Sequence, residues 1–170
     1  DHIMALVSTS QVVQDQSAVP PVKTNQLEKG GVKRTAAGYL AAANFTGGTD
    51  GQWYTFVRLP ARARVTGIFL TGATTTSGAV KCGLYRPDGI AIDDDVFATN
   101  YNMAAEKDRT NIMVTPTALE RSQSLSAAYA TAIGTAGATG DAEFDIALTI
   151  VTALGAGVNH LLEVDYVLPE

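Results

Sequence analysis

The chain is poor in the residues that do chemistry. It has one cysteine, one tryptophan and two histidines. Asp1, His2 and Ile3 read as a cloning scar ahead of Met4, which leaves His160 as the working histidine. A single Cys82 excludes an internal disulfide and fits a reducing compartment. With only Cys82 and His160 to offer, no zinc ligand set can be assembled. A Ser-His-Asp arrangement would have to recruit His160 without any G-x-S-x-G nucleophile motif. The glycines follow neither the G-x-G-x-x-G nor the P-loop pattern and mark turns and strand breaks instead. No apolar run nears the roughly 20 residues of a membrane span. Residues 4–34 lack the basic start and apolar stretch of a signal peptide. No basic face is interleaved with aromatics, so nucleic acid is not an expected partner. The expectation is a protein that is not an enzyme and carries no cofactor or metal.

What is present is strand vocabulary. With 170 residues, 46% of them hydrophobic, one domain can bury a sizeable core. Tyr39 to Phe45 reads as a weak strand of small residues. Gln52 to Leu59 alternates more clearly, Trp53, Thr55, Val57 and Leu59 against Tyr54, Phe56 and Arg58, and Pro60 stops it. Val65 to Thr71 is apolar on both parities, the pattern of a strand buried on both sides or passing between subunits. Ala79 to Arg86 puts Val80, Cys82 and Leu84 on one face and Lys81 and Tyr85 on the other. On that parity Cys82 is a small core residue rather than a reactive thiol. Arg86-Pro87-Asp88-Gly89 is a tight turn leading to a strand over Ile90 to Thr99.

Asn111 to Val114 reads as a short strand. Thr117-Ala118-Leu119-Glu120 matches a capping box for one short helix over Leu119 to Ala130. Thr131 to Gly140 is small and Gly-rich and reads as a loop. Phe144 to Ile150 and Val158 to Leu168 alternate cleanly and predict a hairpin around Ala153 to Gly157. About eight short strands with no βαβ alternation and no fixed-period repeat predict an all-β antiparallel sandwich or barrel at 35–170.

Residues 4–34 differ. Pro20-Pro21 favours extended geometry and Gly30-Gly31 a flexible joint, so they read as an extended N-terminal arm with a short strand near Gln11 to Val13. The net charge of −5 is unevenly spread. Residues 4–64 carry Lys23, Lys29, Lys33, Arg34, Arg58, Arg62 and Arg64 against Asp15, Glu28 and Asp50, a balance of +4. Residues 65–170 carry −8. These seven cations are the candidate contact residues, for an acidic partner surface or a neighbouring subunit.

Other candidates have plainer readings. His160 shares parity with Leu162 and Val164 and belongs to the core or an interface. Asp93-Asp94-Asp95 could hold calcium with loop carbonyls. Consecutive strand residues point to opposite sides, however, so a solvated bend between Ile92 and Val96 is the better reading. A paired-carboxylate glycosidase would need two acids set across a cleft; sequence does not place Asp145 and Asp165, and the aromatic lining that sugars favour is scarce with one tryptophan. Trp53, Tyr54 and Phe56 are candidates for a glycan platform.

The run ARVTGIFLTGATTTSGAVKCGLYRPDGIAIDDDVFAT, then ALERSQSLSAAYA, DAEFDIALTIVTALGAG and LLEVDYV, resembles the jelly-roll cement or decoration proteins of tailed bacteriophage capsids, over about Thr35 to Leu168. That resemblance implies a jelly-roll β-sandwich that binds the exterior of an assembled HK97-type shell and clamps neighbouring capsomers. Its partners would be the major capsid protein and itself, as a homodimer or homotrimer. It would be made in the host bacterial cytoplasm and located on the virion. The alternative is a non-catalytic binding module of the same fold, such as a tail, fibre or glycan-binding jelly roll.

Overall fold

The structure, a computed structural model, describes residues 32–44, 50–72, 78–103, 107–154 and 159–168. The strands are β1 (Val32–Leu40), β2 (Trp53–Pro60), β3 (Arg64–Gly72), β4 (Ala79–Tyr85), β5 (Ala91–Asn102), β6 (Lys107–Asn111), β7 (Glu143–Thr152) and β8 (His160–Leu168). Three short helices, α1 (Ala118–Ser122), α2 (Leu125–Ala128) and α3 (Ala130–Thr135), lie between β6 and β7. One sheet has the order β1-β8-β3-β6 and the other β2-β7-β4-β5, with every pairing antiparallel. Successive strands change sheet at every step except β4 to β5 and so form a jelly roll. The predicted all-β sandwich is the fold observed.

The inner faces interdigitate through Val57, Leu59, Ile68, Leu70, Val80, Cys82, Leu84, Phe144, Ile146, Leu148, Leu162 and Val164, all buried. Fully burying one such side chain is worth about 1.5–3 kcal/mol. Bulges set which residues reach this layer. On β3 the register shifts between Val65 and Gly67, so Val65 and Ile68 both face inward although their parity differs. The double-parity pattern thus reflects a bulge, not burial on both sides. Phe69 points outward and lays its ring over the missing side chain of Gly67.

Several local expectations are corrected. The first strand of this body ends at Leu40 instead of running over Tyr39 to Phe45, and Ala42–Asn44 is a 3-10 turn. The strand expected at Asn111 to Val114 lies earlier, at Lys107–Asn111. The capping box forms: the Glu120 amide donates to Thr117 Oγ1 (3.3 Å) and the Thr117 amide to Glu120 Oε2 (2.7 Å). The helix does not continue to Ala130, because Leu125 and Ser126 donate their amides to the carbonyls of Ala63 and Ala61 instead of to a preceding turn. That break seats Leu125, Tyr129 and Ile133 in the core. Burial of Ile133 also makes Ala130–Thr135 helical where a loop was expected.

The hairpin expected between the last two strands is absent. β7 sits between β2 and β4, and β8 between β1 and β3, in different sheets. Alternation marks a strand but does not choose its neighbour. The strand expected near Gln11 to Val13 lies outside the described residues.

Candidate functional site

The candidate cations separate by environment. Lys23 and Lys29 lie outside the described residues. Lys33 and Arg34 fall in β1, not ahead of it. Lys33 reaches Asp165 on β8 at 2.8 Å, and Thr35 Oγ1 donates to the same carboxylate at 2.6 Å. Asp165 is buried, and these two donors hold its carboxyl below the ordinary carboxylate value. On the other sheet Arg58 forks onto Asp145 of β7, with Nε to Oδ1 at 2.6 Å and Nη2 to Oδ2 at 3.0 Å. Asp145 is also buried, so the guanidinium matches a charge that the fold has already taken from water.

Arg34, Arg62 and Arg64 remain without an acidic partner among the described residues. Arg62 is exposed in the turn after β2, and Arg64 is half-buried at the start of β3. Lys33, Val167 and Arg64 stand opposite one another across β1, β8 and β3. Arg34 is exposed in the adjacent row, opposite Tyr166. The fold therefore gathers Arg34, Arg62 and Arg64 at the end of the sandwich where β1 begins. Lys33 and Arg58 are instead each paired with a buried carboxylate, though their own side chains stay exposed.

The other candidates are also placed. His160 is 2% exposed and lines, with Leu40, Tyr54, Phe56 and Met103, an apolar cavity of about 10 Å³, roughly the space of one water. Burial lowers its pKa from the ordinary value. Tyr54 and Phe56 both turn inward, because β2 shifts register between Thr55 and Val57. Of the expected glycan platform only Trp53 faces outward, stacked on Tyr85 with centroids 5.7 Å apart. Tyr85 in turn shares a 2.6 Å hydrogen bond with Thr149. These rings roof Ala147 and Thr149, which are buried on the outside of their sheet.

The acidic triplet departs from the strand expectation. β5 loops out between Asp93, opposite Leu84, and Ala98, opposite Cys82. Oxygen atoms of Asp93, Asp94 and Asp95 consequently lie within 4.8 Å of one another instead of on opposite sides. Burial and the side chain of Asp95 raise the Asp93 pKa, while Lys81 pairs with Asp94 at 3.2 Å. Convergent acids with one charge already matched select no particular ion.

One outer-face feature carries no sequence signal. Arg109 of β6 stacks 3.7 Å from the centroid of the Phe69 ring and pairs with Glu163 at 2.8 Å. Only the outward parity of Phe69 could have hinted at a cover.

No protein-family model matches the chain, and no curated protein does. Solved structures do match. A chain of the Helicobacter pylori bacteriophage KHP30 acid-stable capsid aligns with 82% of this chain and 90% of its own length, at 14% identity and TM-score 0.41. A chain of the cyanophage Pam1 capsid asymmetric unit aligns with 96% of this chain and 100% of its own length, at 14% identity and TM-score 0.51. At that identity what the second likeness establishes is a shared fold.

Proposed function

We propose that this chain is a structural protein of a bacteriophage virion that binds the exterior of an assembled shell and stabilises contacts between capsomers. The observation that carries the reading is the fold match, over 96% of this chain, to a chain of a phage capsid asymmetric unit. The partner is the major capsid protein of an HK97-type shell, with self-association as a dimer or trimer. Many copies on a repeating lattice turn modest contacts into a strong assembly.

The shell-facing groups are Arg62 and Arg64 together with the arm that carries Lys23 and Lys29. Lys33 and Arg58 are less suited, because each already pairs with a buried carboxylate. The test is co-sedimentation with undecorated shells. The chain should pellet with them, and less so as salt rises. Deletion of residues 4–31, or Arg62→Ala with Arg64→Ala, should leave a folded domain in the supernatant. An intact chain that never pellets with shells overturns the reading.

A further inference from the structure

Among the described residues the jelly roll has four edge strands, β1 and β6 of one sheet and β2 and β5 of the other. An unpaired edge is a template for another strand, and proteins blunt such edges with bulges, prolines, charge or shortness. Three of these edges are blunted. β2 is bulged and ends in Pro60, β5 shifts register three times against β4, and β6 is five residues long with a shift of its own. β1 pairs with β8 through nine consecutive positions without a shift and contains no proline; among the described residues its only guard is the charge of Lys33 and Arg34, which antiparallel pairing with a second copy sets against no other cation. It also holds two exposed apolar side chains, Val32 at 49% and Tyr39 at 65% exposure.

We propose that β1 is the face through which two copies of this chain associate, as antiparallel strands about a two-fold axis at Ala36. This gives a face and an order to the self-association proposed above and rests on that reading. Full overlap of Val32–Leu40 with its own copy requires Ala36 opposite Ala36. The remaining positions are then self-complementary, as an isologous interface demands. Lys33 of one copy, paired with Asp165 but about two-thirds exposed, faces the Tyr39 ring of the other, a cation against an aromatic. Arg34 faces Gly38, whose absent side chain is replaced by the backbone carbonyl of Phe56, an acceptor for the guanidinium. Thr35 meets Ala37, and Val32 covers the half-buried Leu40. No cation opposes another, whereas parallel in-register pairing would set Lys33 on Lys33 and Arg34 on Arg34. Main-chain hydrogen bonds supply the attraction, and the side chains fix the register.

Sedimentation equilibrium on the full chain tests this. The wild type should be a dimer. Tyr39→Lys opposes Lys33 with a like charge twice per dimer and should raise the dissociation constant on the order of tenfold. Tyr39→Glu should retain or tighten the dimer. Tyr39 is exposed, so a single cooperative thermal melt of each variant will show that both fold. A monomeric or trimeric wild type overturns the proposal, as does an equal response of the dimer to the two substitutions. Shell binding is followed in parallel. A monomer that still pellets with shells defeats the β1 dimer alone, and a charge-obeying dimer that ignores shells defeats only the shell reading.

Discussion

Gly83 and Asp94 claim the same space on the outer face of the β2-β7-β4-β5 sheet. The main chain of Asp93 and Asp94 fills the position where a side chain of Gly83 would begin. The loop in β5 that gathers the three carboxylates can therefore lie down only over a glycine.

Gly83→Ala should force that loop away from β4 at a cost of about 1–3 kcal/mol, the range for overpacked sites. In a chain of this size that lowers the melting temperature by about 2–4 °C per kcal/mol. Thermal melts of the two proteins check it, and an unchanged melting temperature contradicts the close approach.

Acid should weaken the fold in two stages. Burial holds the pKa of His160 below its ordinary 6.5, so the unfolded chain takes up a proton that the folded chain refuses. Stability is then fully present above pH 6.5 and declines as pH falls below it. Asp165 is held below its ordinary 3.8 by Lys33 and Thr35, so its contribution is present above that value and disappears as pH falls through the folded pKa. Urea midpoints from pH 8 to pH 3 should show both limbs. His160→Leu should flatten the first and Asp165→Asn the second. A His160→Leu variant with the wild-type slope between pH 6.5 and 5 contradicts the assignment.

Cys82 is fully buried between the sheets, and burial alone pushes its thiol pKa up. A thiol-specific disulfide reagent at pH 8 should react with the urea-unfolded chain within minutes and with the native chain only at the rate of unfolding. Prompt reaction of the native protein would place Cys82 at the surface instead.

Alternation made β2, β4, β7 and β8 legible, because each places apolar residues on one buried face. β1 was harder to see, since Ala36, Ala37 and Gly38 are too small to mark a parity and most of the strand is exposed. The bulges of β3 and β5 were invisible, because an inserted residue breaks the period on which the inference depends. The convergence of Asp93 to Asp95 was missed for the same reason. The contact cations could be enumerated but not ranked. What separates Arg58 from Arg62 is Asp145, 87 residues further along the chain, and nothing local announces it.

The placement of β7 and β8 also bears on synthesis. Each is an interior strand of its sheet, so the first six strands alone can form only the pairs β3–β6 and β4–β5. Among the described strands, a chain emerging from the ribosome would hold β1 and β2 without sheet neighbours until β7 and β8 arrived. Both sheets would then close together around them. Long-range pairing of this kind folds slowly and exposes strand edges while it waits. Truncation ahead of β7 should accordingly leave no residual half-sandwich, only an unfinished pair of ladders.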